Sequence, residues 1–109
     1  MRTRAFVRAT PRSPVSVAFE KAGEPHAYGT VANISDGGAC VWTSAHLEVG
    51  QEVSLSLSGA RQPQPLQVPA VIAWGGAASS RERGTRRYGL QWSAPTPESR
   101  SGLRRLIGL

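Results

Sequence analysis

The sequence has few of the residues that carry redox and metal chemistry. Among 109 residues there is one Cys and there are two His, so the chain cannot form an internal disulfide and has few ligands for a zinc cluster. Its apolar stretches, such as Val68 to Trp74, are far shorter than a bilayer-crossing helix. Arginines interrupt the first residues, which argues against a secretory signal. We therefore expect a cytoplasmic protein with no metal site and no membrane insertion.

Motifs of the common enzyme classes are also missing. The sequence contains no P-loop, no nucleophile elbow, no His-Glu-x-x-His segment and no paired carboxylates in a recognisable frame. The length of 109 residues suits one domain with one core. These absences favour a binding module over an enzyme, and they imply no cofactor.

Positive charge is the main bias of the composition. Twelve Arg and one Lys outweigh seven acidic residues and give a net charge of +6, which suggests an anionic partner. The guanidinium is a planar fork that suits phosphate and base edges and stacks on aromatic faces. Four of the arginines fall in residues 1–13, which contain no acid and no helical or strand period. They are Arg2, Arg4, Arg8 and Arg12. We expect this segment to be a flexible basic arm.

Residues 14–109 show a strand pattern followed by a short helix. Six segments are strand candidates, and in the first, fourth and sixth of them apolar residues alternate with small or polar ones, which favours half-buried strands. The segments are 14–20, 26–34, 39–43, 52–58, 66–74 and 88–92. Pro69 should lie at an edge or a bulge, and Gly75 to Arg87 is predicted to be a loop. Thr96-Pro97-Glu98 is typical of a helix start. The expected fold is all-β, a six-stranded antiparallel barrel with a short C-terminal helix.

The segment Ser35-Asp36-Gly37-Gly38 is a strong turn signal between the second and third strands. Asn33 and Ser35 place short polar side chains at a strand end, where they could face a ligand on the barrel. Gly37 and Gly38 allow unusual backbone angles and close approach of a ligand. An ordinary hairpin turn has the same composition, so the turn alone does not establish a binding site.

Two motifs in order give the chain a resemblance to the PilZ domain family. The first is Arg4-Ala5-Phe6-Val7-Arg8, two arginines separated by three residues, shortly before Pro14 and the first strand. The second is Asn33-Ile34-Ser35-Asp36-Gly37-Gly38, which resembles the family pattern of Asp or Asn, any residue, Ser, two residues and Gly. The resemblance continues to Tyr88–Trp92 and the helix start. Arg8 and Arg12 have the same spacing as Arg4 and Arg8; the position of Pro14 favours Arg4 and Arg8.

The resemblance implies a bacterial receptor domain for cyclic di-GMP. In that reading Arg4 and Arg8 hold guanine edges and phosphates, because an Arg fork pairs with guanine O6 and N7. The other implied ligand-binding residues are Asn33, Ser35, Gly37, Gly38 and Trp74. Trp74 would stack on a base, whereas Trp42 and Trp92 are expected to pack. Family members often carry a further Arg where this chain has Thr3, so binding of one or of two nucleotides stays open.

The expected mechanism is a switch in which the arm orders over the bound nucleotide and signals to a downstream protein partner. Motility, polysaccharide secretion and pilus control are outputs of the family. One alternative is a PilZ-like adaptor that binds proteins without nucleotide. Another is a nucleic-acid-binding barrel, but the sequence has no basic–aromatic run of the kind found in RNA-binding sheets, and we expect no nucleic-acid partner.

Overall fold

The computed structural model describes residues 15–21, 24–59, 64–78, 85–94 and 96–107. Within these ranges the chain forms six strands and one helix, as the sequence predicts. They are β1 Val15–Lys21, β2 Glu24–Ile34, β3 Gly38–Thr43, β4 Glu52–Gly59, β5 Leu66–Ala78, β6 Arg86–Trp92 and α1 Pro97–Ile107. The predicted arm, residues 1–13, lies outside the described ranges.

The six strands close into an antiparallel barrel in the order β1-β2-β3-β6-β5-β4. The alternating apolar residues predicted for the strands point inward. In β1, for example, Val15, Val17 and Phe19 are all buried. A closed barrel leaves no unpaired sheet edge. The predicted six-stranded antiparallel barrel with a C-terminal helix is confirmed.

The core is made of apolar side chains from every strand, most of them aliphatic, and is closed by the helix. Leu103 of α1 is fully buried and Leu106 nearly so. Gly102 of α1 faces Leu66 of β5, and a Cβ atom there would lie 2.7 Å from Leu66 Cδ1, so the Leu66 side chain would have to move. Burial of each such leucine contributes roughly 1.5–3 kcal/mol. The helix has 11 residues and is too short to be stable alone, so this burial stabilises it.

The start of α1 has the predicted N-cap. The backbone N–H of Ser99 donates to Thr96 Oγ1 at 3.1 Å, and the backbone N–H of Thr96 donates to Ser99 Oγ at 2.9 Å. This reciprocal pair satisfies two backbone donors that would otherwise lack helical partners. Within the described ranges, no helix is long and apolar enough to cross a bilayer.

The fifth strand differs from its prediction. It runs on past Trp74 to Ala78, and β6 begins at Arg86, so the predicted loop from Gly75 to Arg87 is wrong at both ends. Register shifts between Ile72 and Trp74 and between Gly75 and Ala78 keep this Gly- and Ala-rich segment paired with β6. Tertiary pairing therefore overrides a low strand propensity.

Pro69 lies at neither of its predicted places. Its strand is paired with β4 and β6, so it is not at an edge, and the irregularities of β5 lie further along the chain. Pairing with β6 ends at Ala70 and Trp92, and the Pro69 carbonyl accepts a bond from the Ser93 N–H at 3.0 Å. Proline is tolerated because it falls just beyond the end of that ladder.

Candidate functional site

The turn between β2 and β3 is organised by Ser35. Its backbone N–H donates to the Gly38 carbonyl at 2.8 Å. Its hydroxyl oxygen accepts bonds from the N–H groups of Gly37 and Gly38, each at 3.3 Å. Ser35 is only 7% exposed. The structure thus places the predicted site residue Ser35 inside the turn, where its hydroxyl fixes the loop conformation.

Trp92 holds the same turn from the neighbouring strand β6. Its buried indole Nε1–H donates to the Ser35 carbonyl at 3.0 Å, and its backbone N–H donates to the Gly37 carbonyl at 3.0 Å. The sequence predicted a packing role for Trp92 but missed this polar one. The available signal was that a buried indole N–H needs an acceptor.

Neither glycine of the turn has a positive φ, although the sequence allows unusual backbone angles at both. Among the described glycines only Gly50 has a positive φ, at 90°. Gly38 is instead required by close approach, because a Cβ atom there would lie 1.9 Å from the Leu90 carbonyl oxygen of β6. The side chain is excluded by the neighbouring strand and not by the turn type.

A bulge in β2 turns Asn33 to the outside of the barrel. Val31 pairs with Val41 and Ile34 pairs with Ala39, and all four side chains are in the core. The register shift between Val31 and Asn33 leaves one extra residue. Without it Asn33 would share the inward face of Val31, since residues two apart in a strand point to the same side. The bulge thus puts a polar side chain on the outer face.

Asn33 and Trp74 lie in one row across four strands. Asn33 pairs with Cys40, Cys40 with Gly89, and Gly89 with Trp74. Residues paired across a sheet share a face, and the flanking residues of Cys40 and Gly89 are in the core, so this row lies on the outer face. The structure therefore places two predicted site residues, 41 positions apart in the sequence, in the same outer-face row, separated by three strand spacings of about 4.8 Å each.

The indole of Trp74 lies against the backbone of β6. A Cβ atom at Gly89 would be 2.1 Å from Trp74 Nε1, so the ring needs glycine beneath it. Trp74 is still 38% exposed. A large aromatic surface is thus held on the outer face and remains accessible, as a stacking role requires.

Arg87 lies beside Trp74 and was not predicted as a site residue. Its guanidinium carbon is 5.6 Å from the Trp74 ring centroid and 5.7 Å from that of Trp42. Distances below about 6 Å are typical of cation–π contact. The sequence missed Arg87 because it was assigned to a loop, although it alternates with Gly89 in a strand pattern.

The turn also approaches the helix through one weak ion pair. Arg104 Nε is 3.9 Å from Asp36 Oδ1, and both side chains are well exposed. Such a pair contributes little to stability. Arg4 and Arg8 lie outside the described residues. The described ranges contain no cluster of three or more His, Cys, Asp or Glu that could hold a metal ion.

Comparison with known proteins agrees with the fold. A model of the PilZ domain matches residues 2–109. No curated protein matches the chain. Solved structures are similar over nearly the whole chain at low sequence identity, which by itself shows the fold alone.

Three of these structures illustrate the match. The PilZ domain with c-di-GMP of YcgR from Escherichia coli is 14% identical with a TM-score of 0.74, over 98% of this chain and 90% of that one. The Bacillus subtilis inhibitor of motility (MotI/DgrA) is 18% identical with a TM-score of 0.72, over 98% of this chain and 50% of that one. The K. pneumonia MrkH–c-di-GMP complex is 15% identical with a TM-score of 0.75, over 98% and 52%. The chain thus spans about half the length of the last two.

Proposed function

The chain belongs to the PilZ domain family, and from that membership we propose that it is a receptor domain for cyclic di-GMP. The similar structures of YcgR and MrkH are described as complexes with this nucleotide. The observation that carries the proposal is the outer-face row that joins Asn33 to Trp74, next to a turn fixed by Ser35 and Trp92.

The chemistry of this surface suits a nucleotide that has two guanines and two phosphodiesters. The Asn33 amide offers both donors and an acceptor, and the exposed indole of Trp74 offers a stacking face. Base–aromatic stacking contributes about 1–3 kcal/mol. Gly38 and Ser35 hold the turn in place, and Gly37, which has no side chain, is assigned to close approach of the ligand. In this proposal Asn33 and Trp74 contact the ligand, whereas Ser35 and Gly38 keep the turn rigid.

The remaining part of the proposed site is the N-terminal arm, residues 1–13, which precedes the barrel domain of residues 14–109. We assign Arg4 and Arg8 to guanine edges and phosphates. Each charge-assisted hydrogen bond contributes about 1.5–3 kcal/mol, while ordering each backbone residue costs on the order of 1 kcal/mol. The net affinity should be nearer micromolar than picomolar, where micromolar corresponds to about 8 kcal/mol.

The proposed output is a change in the arm that a protein partner detects. The arm orders over the barrel when nucleotide binds, and its new position is the signal. Hydrogen exchange on residues 1–13 tests this step, since protection should rise when cyclic di-GMP saturates the protein. Equal exchange with and without ligand would contradict it. The domain acts as a cytoplasmic receptor and not as an enzyme, with cyclic di-GMP as ligand and no cofactor.

Titration calorimetry on the full chain tests the function. Cyclic di-GMP, GTP and a short single-stranded oligonucleotide are titrated into wild type, Arg8→Ala and Asn33→Ala, with Arg105→Ala as a control for loss of positive charge on the exposed side of α1. We expect cyclic di-GMP to be the only one of the three ligands that gives heat. Its affinity should fall at least tenfold in Arg8→Ala and Asn33→Ala and should be unchanged in Arg105→Ala. No heat from any ligand would favour a protein-interaction adaptor, and heat from the oligonucleotide alone would favour a nucleic-acid-binding barrel.

A further inference from the structure

Trp42, Arg87 and Trp74 form a continuous cluster on the outer face of the barrel. The Arg87 guanidinium lies within 5.7 Å of both ring centroids. We call these three residues the Trp–Arg–Trp cluster. Neither Trp42 nor Arg87 belongs to the two PilZ motifs.

Strand pairing fixes the cluster next to the proposed ligand row. Trp42 and Arg87 are directly paired across β3 and β6. Arg87 is two residues from Gly89, on which the Trp74 indole lies. Because residues two apart in a strand share a face, the cluster and the row from Asn33 to Trp74 form one surface.

Among the described residues, the Arg87 guanidinium contacts two aromatic rings and pairs with no carboxylate. Arg87 is exposed, and the ion pair found within the described ranges joins Arg104 to Asp36. Contact with two rings restrains a side chain that otherwise has much rotamer freedom, while the N–H donors of the fork remain in the guanidinium plane. An arginine held in this way is arranged to donate to two adjacent acceptors on a planar ligand.

Guanine is the base whose major-groove edge has two adjacent acceptors, O6 and N7, and no donor. We propose that Arg87, positioned by Trp42 and Trp74, reads this edge on one guanine of the nucleotide and thereby determines base specificity. This inference rests on the proposed binding of cyclic di-GMP. It adds a guanidinium from the barrel itself to those of the arm.

A cycle between a protein variant and a ligand variant tests the contact. Cyclic di-GMP and its 7-deazaguanine analogue, which lacks the N7 acceptor, are titrated into wild type and Arg87→Gln. If Arg87 binds the O6/N7 edge, Arg87→Gln lowers the affinity for cyclic di-GMP by about tenfold or more, as expected for the loss of one charge-assisted hydrogen bond. The 7-deaza substitution weakens binding to wild type more than it weakens binding to Arg87→Gln, because the variant has already lost the Arg87 contact to N7. The weakening that remains in Arg87→Gln belongs to the guanine-edge contacts assigned to Arg4 and Arg8.

Two further variants separate positioning from general charge. Arg86→Gln removes the same charge one residue earlier in β6, on the opposite face by strand alternation, and should leave affinity unchanged. Trp42→Ala should weaken cyclic di-GMP binding severalfold and reduce the 7-deaza effect, since it frees the Arg87 fork. Thermal unfolding of each variant checks that the barrel is intact.

The outcomes distinguish this inference from the proposed function. Wild type that binds no cyclic di-GMP would overturn both. Wild type that binds cyclic di-GMP with an affinity that Arg87→Gln does not alter would overturn the role of Arg87 alone. Additive effects of Arg87→Gln and the 7-deaza substitution would also overturn it, because they would show that Arg87 acts on the phosphates or through long-range charge.

Discussion

Replacing Gly38 with alanine should destabilise the barrel although Gly38 is at the end of a turn. The added Cβ would lie 1.9 Å from the Leu90 carbonyl oxygen and 3.2 Å from the Gln91 Cα, whereas ordinary van der Waals contact begins at 3.4 Å. These are backbone atoms of β6, which cannot rotate away as a side chain does. Strands β3 and β6 must therefore separate where Gly38 pairs with Gln91.

The magnitude follows from overpacking of a rigid contact. Inserting atoms into a well-packed region costs typically about 1–3 kcal/mol. For a domain of this size each kcal/mol lowers the Tm by about 4–8 °C, so we expect a decrease of about 4–24 °C. Circular dichroism during heating and urea unfolding both measure the change.

Gly50→Ala is the matched control. Nothing lies within 4 Å of a Cβ at Gly50, but its φ is +90°, so the substitution costs only backbone strain of about 1–2 kcal/mol. The Tm of Gly38→Ala should be at least as low as that of Gly50→Ala. Hydrogen exchange in β3 and β6 should also be faster in Gly38→Ala, because the pairing of these strands is weakened. A Gly38→Ala protein whose Tm matches that of wild type would refute the reasoning.

Three further substitutions test contacts around the barrel. Trp92→Phe leaves the buried Ser35 carbonyl without its donor and should cost about 1–3 kcal/mol in urea unfolding; an unchanged midpoint would show that the indole N–H does not hold the turn. Tyr88→Phe removes the hydroxyl that bonds the loop 44–51, so hydrogen exchange in that loop should quicken at a cost of about 1 kcal/mol, and unaltered exchange would contradict this. Thr96→Ala removes the helix N-cap and should cost about 1 kcal/mol with no change in nucleotide affinity; a large loss of affinity would instead place the helix start in the site.

The strands and the helix start could be predicted because each depends on a short stretch of sequence. Strand alternation such as Val15, Val17 and Phe19 needs only the period of two. The helix start at Thr96 needs only a cap and a proline. The number of strands, the barrel and the terminal helix follow from such patterns taken together.

The features that were missed depend on contacts between distant strands. The bulge that turns Asn33 outward is set by the pairing of β2 with β3, and the extension of β5 beyond Trp74 by its pairing with β6. The reason for Gly38 lies in a strand about fifty residues further along the chain. The position of Arg87 between two indoles likewise required the strand order, which no local pattern encodes.

The most direct test of the account is a backbone and indole NMR titration of the full chain with cyclic di-GMP. We predict shifts in Asn33 to Gly38, in the indole signals of Trp42 and Trp74, and in the β6 residues around Arg87, with signals of β1 and β4 on the other side of the barrel unchanged. Saturation without shifts on the outer face of β2, β3, β6 and β5, or no binding at all, would contradict the account.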